Sequence, residues 1–192
     1  MIAIAKTADW ISPEEYLEGE RWAQTRHEYV GGHVFAMAGA SDDHNRLALS
    51  IATELSTHLR GGVCEPFMND MKVRMPNSDA FYYPDVLVSC DPSDNAKYYR
   101  ERPSYIFEVI SPDTERVDRR EKMLAYREIP GIKGYVILEQ DQMQATVMRP
   151  AAEGWKTEII RGAEAVLKLS DLKIEIPLAR IYERTEVARQ PS

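Results

Sequence analysis

Two short apolar segments that each carry a carboxylate constrain the fold of this chain most. The segments 86–88 and 105–107 have the length and composition of buried strands and are bounded by prolines. Asp85 directly precedes the first segment, and Glu108 follows the three apolar residues of the second and precedes two more. Because burying an unpaired charge is costly, these acids require a compensating cation. Carboxylates on neighbouring strands are hard ligands for Mg²⁺ or Mn²⁺, and Lys122 on the following helix would lie beside them.

Length and composition indicate one soluble globular domain. We assign residues 1–185 to this domain and 186–192 to a frayed C-terminal tail. No apolar segment approaches the roughly 18 residues that span a bilayer, so we expect a cytoplasmic protein. Two widely spaced cysteines, Cys64 and Cys90, do not suggest a disulfide framework, and we expect both to be reduced.

The charge distribution bears on whether nucleic acid is a partner. A net charge of −7 argues mildly against phosphate binding, which basic side chains dominate. The acidity is uneven, however: residues 1–45 hold three Lys and Arg against eight Asp and Glu, whereas residues 97–128 hold eight against seven. The acidic excess therefore lies away from the proposed metal site.

Capping and turn signals define the elements of the N-terminal half. Ser12-Pro13 predicts the start of a short helix that ends near Trp22. Gly31-Gly32 predicts the turn of a hairpin over 26–38. Ser41 predicts the N-cap of a longer helix that stops at 61–62. Strands are predicted at 63–68, 70–75 and 82–89, arranged as a meander, followed by a surface loop at 91–103.

The C-terminal half begins with a predicted helix from Ser111 to about Glu128. The wholly apolar segment 134–138 then predicts a strand parallel to the Glu108 strand, reached by a βαβ crossover. A hairpin is predicted over 144–149 and 155–160, and residues 167–182 are predicted to form a short strand and a terminal helix.

The order and spacing of several short motifs resemble those of a known nuclease group. The motifs, quoted with their positions, are Arg26-His27-Glu28-Tyr29-Val30-Gly31-Gly32, Met37-Ala38-Gly39-Ala40-Ser41, His44-Asn45, Tyr83-Pro84-Asp85-Val86, Glu108-Val109-Ile110-Ser111-Pro112 and Glu121-Lys122. Together they resemble the PD-(D/E)xK superfamily, and more specifically the Uma-type family of restriction-endonuclease-like proteins, long described as a domain of unknown function. The likeness extends over nearly the whole chain.

The resemblance implies an α/β fold with a restriction-endonuclease-like core, a mixed β-sheet flanked by helices. It also implies metal-dependent hydrolysis of phosphodiester bonds in DNA. Asp85 and Glu108 match the two acids of the motif, whereas Ile110 stands where the motif lysine is usual, so Lys122 is the candidate replacement. Glu28 matches a family glutamate that would complete the shell of Mg²⁺ or Mn²⁺.

Simpler explanations exist for each residue, and other functions share the same fold. An exposed ion pair with Asp118 explains Lys122 equally well, Glu28 fits a solvated strand position, and His44 fits a hydrogen-bonded residue at the core edge. The alternative function is a non-catalytic nuclease-fold module that binds nucleic acid or a protein partner. RNA or branched DNA is a further possible substrate, and cutting both strands of a duplex favours a homodimer.

Overall fold

The computed structural model describes residues 10–75, 77–110 and 121–189. The helices are α1 (Pro13–Glu20), α2 (Asp42–Leu59), α3 (Met123–Tyr126), α4 (Leu178–Tyr182), α5 (Glu186–Arg189) and a 3₁₀ turn at Ser170–Leu172. The strands are β1 (His27–Val30), β2 (His33–Ala36), β3 (Glu65–Met68), β4 (Lys72–Met75), β5 (Ala80–Tyr82), β6 (Val86–Ser89), β7 (Tyr99–Arg100), β8 (Tyr105–Ile110), β9 (Gly134–Glu139), β10 (Gln144–Pro150), β11 (Trp155–Arg161), β12 (Val166–Leu169) and β13 (Ile174–Pro177).

The strands form two large sheets and a small hairpin. The six-stranded sheet has the order β11-β10-β9-β8-β6-β3, and the five-stranded sheet has the order β2-β1-β5-β4-β7. Strands β8 and β9 are parallel, whereas the other pairs in the six-stranded sheet are antiparallel. This arrangement is an α/β fold with mixed sheets, as the sequence predicted.

The central strands β6, β8 and β9 of the six-stranded sheet are buried on both faces because their side chains alternate between two hydrophobic clusters. On one face, Phe107 and Val109 of β8 pack with Leu47 and Ile51 of α2. On the other face, residues of β4 and β5 pack with α3 through a cluster that includes Val73, Tyr82, Ile106, Ile110 and Tyr126. The edge of the second cluster is where α3 and both large sheets meet.

Most elements predicted from local signals are present. Ser12 accepts a hydrogen bond from Glu15 N while the Glu15 carboxylate accepts one from Ser12 N, so α1 begins with a complete capping box. The hairpins β1–β2 and β10–β11 and the parallel pairing of β8 with β9 also match the prediction. Residues 111–120 lie outside the described part of the chain, so the helix start at Ser111 stays a prediction.

The predicted strand 82–89 and the predicted meander are wrong. The chain forms two strands there, with β5 ending at Tyr82 in one sheet and β6 beginning at Val86 in the other. Strand β3 pairs with β6, and β4 pairs with β5. The break falls at Tyr83-Pro84-Asp85, where proline has no N–H to donate to a ladder, so the chain leaves one sheet and enters the next.

Three smaller differences concern segments where sequence signals are weak. Strand β7 lies within the predicted surface loop at 91–103, where it pairs in parallel with β4. Residues 166–177 form the hairpin β12–β13 instead of one strand. Residues 186–189 of the predicted tail form the short helix α5. Among the described residues no helix combines the length and apolar character needed to cross a membrane.

Cys64 and Cys90 form a disulfide, so the expectation of two reduced thiols is wrong. Glu65 is paired with Ser89 at the end of β3–β6, and the cysteines are the next residues outward on each strand. Pairing of the two strands therefore brings together cysteines that are 26 residues apart in sequence. That long-range pairing was not visible in the spacing of two cysteines.

Reduction of this disulfide is expected to lower the free energy of unfolding by about 3 kcal/mol, because a closed loop of this length restricts the unfolded chain. Urea denaturation with and without a reductant measures the difference. The double variant Cys64→Ser/Cys90→Ser serves as the control and should not respond to reductant. Equal stability of the oxidised and reduced wild-type chain would contradict the structural role of the bond.

Candidate functional site

Asp85 and Glu108 are neighbours on adjacent antiparallel strands. Val86 of β6 is paired with Phe107 of β8, so the next positions along the two strands are Asp85 and Glu108. The backbone N–H of Asp85 donates a hydrogen bond to Glu108 Oε2 at 3.3 Å. Glu108 is 3 % exposed although it carries a carboxylate. The two acids identified in the sequence therefore adjoin at one end of the β6–β8 pair.

Lys122 supplies a buried positive charge next to these acids. Its ammonium group lies 2.9 Å from Glu28 Oε1 and 3.4 Å from Glu108 Oε1, and the residue is 6 % exposed. The ammonium nitrogen is also 5.9 Å from the centre of the Tyr82 ring. Lys122 occupies the helical turn directly before α3, and this position brings its ammonium group to Glu28 and Glu108.

Glu28 connects the two large sheets at this point. It is on β1, in the five-stranded sheet, and its Oε1 accepts a hydrogen bond from the backbone N–H of Tyr83 at 3.3 Å. The same oxygen contacts Lys122. The Glu28 side chain is therefore mostly buried and contacts the same lysine as Glu108, unlike a solvated strand residue.

The Asp85 carboxylate is held by partners on two elements. Its Oδ2 accepts a hydrogen bond from the backbone N–H of Val109 at 2.7 Å, and its Oδ1 lies 2.7 Å from His44 Nε2. The backbone N–H of His44 in turn donates to the Ser41 hydroxyl, which caps α2. These bonds fix the direction of the carboxylate before any ligand binds.

Tyr126 gives Glu108 a second donor. Its hydroxyl donates to Glu108 Oε1 at 3.1 Å, and its side chain is fully buried. Burial, followed by the negative charge of Glu108, raises the pKa of Tyr126 well above its ordinary value. The phenol therefore remains a hydrogen-bond donor at any physiological pH.

A second polar cluster adjoins the site through Tyr83. The Tyr83 hydroxyl donates to Glu20 Oε1 at 3.1 Å and accepts from the Lys72 ammonium at 3.1 Å. Burial lowers the pKa of Lys72, although the charges of Glu20 and Asp70 act in the opposite direction. The backbone N–H of Tyr83 donates to Glu28, so this cluster holds in place a residue that contacts the site.

The oxygen donors in the site are of the kind that Mg²⁺ and Mn²⁺ bind. Asp85, Glu108 and Glu28 contribute carboxylates, and the Lys122 ammonium between two of them shows that this environment accepts a positive charge. Within residues 10–75, 77–110 and 121–189, no three Asp, Glu, His or Cys side chains form a ready-made metal cage. Mg²⁺ commonly uses only one or two carboxylates together with waters and substrate phosphates, so the donor set fits such an ion.

Sequence reasoning missed the importance of His44 and did not identify Tyr126. The sequence placed His44 on the core-facing side of its helix, but the partner it would meet depends on the position of β6. A local signal did exist for Tyr126, because it follows Lys122 by four residues and such residues share one face of a helix. Asp70, in the turn between β3 and β4, forms an exposed ion pair with Arg26 at 2.6 Å.

The fold is shared with a solved protein that is described as a nuclease. A crystal structure described as a putative nuclease belonging to DUF820, from Anabaena variabilis, superposes with a TM-score of 0.74. The match covers 90 % of this chain and 98 % of that one at 15 % sequence identity, so it concerns the fold.

The chain belongs to the Uma2 family, described as "putative restriction endonuclease", whose model matches residues 13–179. Two uncharacterized proteins of Synechocystis sp. are similar along almost their entire length. One, slr1290, is 33 % identical over 95 % of this chain and 97 % of its own length. The other, sll1609, is 28 % identical over 89 % of this chain and 99 % of its own length.

Replacing Lys122 by Met is expected to lower the free energy of unfolding by about 3 kcal/mol, because Glu28 and Glu108 would lose a buried cation. Lys168→Met is the matched control, since Lys168 forms an exposed pair with Glu175, and it should cost less than about 1 kcal/mol. Chemical denaturation of the three proteins provides the comparison. Similar losses of unfolding free energy in the two variants would show that the buried Lys122 ion pairs contribute no more stability than an exposed pair.

Proposed function

We propose that the chain is a Mg²⁺- or Mn²⁺-dependent endonuclease that hydrolyses phosphodiester bonds of DNA. The observation that carries the proposal is the adjacency of Asp85 and Glu108, with the Lys122 ammonium 3.4 Å from Glu108. Membership of a family described as restriction endonucleases supports the same reaction class. Asp85 and Glu108 would hold the metal ion, and Glu28 would complete its shell directly or through a water molecule. The ion would polarise the scissile phosphate and lower the pKa of a water molecule.

The protein's own groups would position the reactants and balance charge. Lys122 would donate a hydrogen bond to the attacking water or to a phosphate oxygen and offset the negative charge that develops there. His44 would keep the Asp85 carboxylate in one orientation, and Tyr126 would do the same for Glu108. Outer groups of this kind typically affect metal affinity or activity by about 10- to 100-fold.

The setting of the reaction is part of the same proposal. Cleavage of both strands of a duplex would use two active sites, so the active species would be a homodimer. A DNA substrate would place the protein in the cytoplasm, where a disulfide such as Cys64–Cys90 is uncommon. Both cysteines are half-buried, so the pair would be accessible to the reducing pool there.

Plasmid nicking and cutting in Mg²⁺ or Mn²⁺ tests the activity. Asp85→Asn and Glu108→Gln are expected to lower the rate by at least about 100-fold, because each removes one negative charge from the metal-binding set while keeping a similar shape. Glu175→Gln on β13, where Glu175 forms an exposed ion pair, is the matched control and should cut normally. Undiminished cutting by either site variant would refute the assignment of these acids.

Titration calorimetry with Mn²⁺ separates this proposal from the alternative. A wild-type chain that binds no Mn²⁺ and cuts no DNA would instead be a non-catalytic module with a nuclease fold, binding nucleic acid or a protein partner. RNA and branched DNA are offered in the same cleavage assay. Faster cleavage of either one would identify it as the preferred substrate of the same site.

A further inference from the structure

An exposed group of aromatic and basic side chains lies at the end of α1. Trp22 is 76 % exposed and Tyr98 is 40 % exposed. The Arg21 guanidinium carbon is 5.7 Å from the centre of the Trp22 ring and 5.6 Å from the centre of the Tyr98 ring. The Lys97 ammonium is 5.2 Å from the Tyr98 ring. We call these four residues the aromatic patch.

The aromatic patch is held in position by a residue of α1. Glu18 accepts hydrogen bonds from Arg21 at 2.8 Å and from the Trp22 indole N–H at 3.3 Å. These bonds orient the indole but leave most of its surface in water. The other strongly exposed indole, Trp10, differs because it packs against the hairpin turn at Gly32, where even a methyl group would collide with its ring.

A continuous series of contacts joins the aromatic patch to the candidate active site. Arg21 directly follows Glu20, which binds the Tyr83 hydroxyl. On the other side, Tyr98 directly precedes Tyr99, which is paired with Lys72, and Lys72 also binds the Tyr83 hydroxyl. The Tyr83 backbone N–H donates to Glu28, so buried contacts link the segments that carry the patch to the candidate site.

The chemistry of the patch fits a nucleobase with an accessible face. Aromatic rings and guanidinium planes stack on bases, and neighbouring cations attract the phosphate backbone. No described carboxylate lies within 4.0 Å of the Lys97 ammonium, so this charge is available for a phosphate. Bases inside a duplex are covered by their neighbours, whereas unpaired bases offer an open face.

We infer that the aromatic patch binds unpaired bases of single-stranded DNA. This inference rests on the proposed function and refines its substrate class: the preferred substrate would carry a single-stranded segment beside the scissile bond. Lys97 would contact the backbone of that segment, and Trp22 and Tyr98 would stack on its bases. Arg21, which is paired with Glu18, would hold the two rings in position.

Fluorescence anisotropy with a labelled single-stranded oligo(dT) 20-mer, at one fixed salt concentration, tests the inference. All variants are made on an Asp85→Asn background to suppress cleavage. Trp22→Ala and Tyr98→Ala are each expected to weaken binding about tenfold, the scale of one lost stacking interaction. Tyr98→Phe keeps the ring and should bind normally, as should Leu49→Ala, which truncates an exposed apolar residue on α2.

Several results would overturn the inference, and circular dichroism of each variant checks that it is folded. Affinity unchanged in both alanine variants would do so, as would tighter binding of a blunt 20-base-pair duplex than of oligo(dT). A change of oligomeric state in Trp22→Ala without a change in affinity would assign the patch to a protein interface. Plasmid cutting by the wild-type chain is measured separately, so loss of the patch hypothesis would leave the endonuclease proposal intact, and the reverse also holds.

Discussion

Compensation of buried charge is the constraint on which the site depends. Glu28 and Glu108 belong to different sheets, and the Lys122 ammonium contacts both carboxylates. Burying any of these groups alone would be strongly unfavourable, so each one requires the others to be in place. The junction of two sheets and a helix is therefore also the place where three ionised groups are held together. The proposed divalent-cation site depends on the same electrostatic balance.

The break at Tyr83-Pro84-Asp85 makes this junction possible. A continuous strand would have kept Asp85 within one sheet, but the chain leaves β5 and enters β6 across these residues. The segment donates hydrogen bonds to acids of both sheets: the Tyr83 N–H donates to Glu28, and the Asp85 N–H donates to Glu108. A backbone irregularity thus supplies hydrogen bonds to two acids of the site, which a regular ladder would have used internally.

Local signals predicted the elements well and their long-range partners poorly. The capping box at Ser12, the turn at Gly31-Gly32 and the strand predicted from the apolar segment 134–138 depend on neighbouring residues, so the sequence was sufficient for them. By contrast, the pairing of β3 with β6, the Cys64–Cys90 bond and the contact between His44 and Asp85 depend on where distant segments pack. The adjacency of Asp85 and Glu108 was predictable because both acids adjoin recognisable strands, whereas Lys122 was equally compatible with an exposed ion pair.

The central claim is that Asp85 and Glu108 share a divalent cation, and a crystal structure of the protein soaked in Mn²⁺ tests it most directly. Anomalous scattering locates Mn²⁺ independently of any assumption about the site. The account predicts an ion bound by oxygens of both residues at about 2.0 to 2.6 Å. A fully soaked crystal with no ion between these acids, or with Mn²⁺ bound only at other residues, would contradict it.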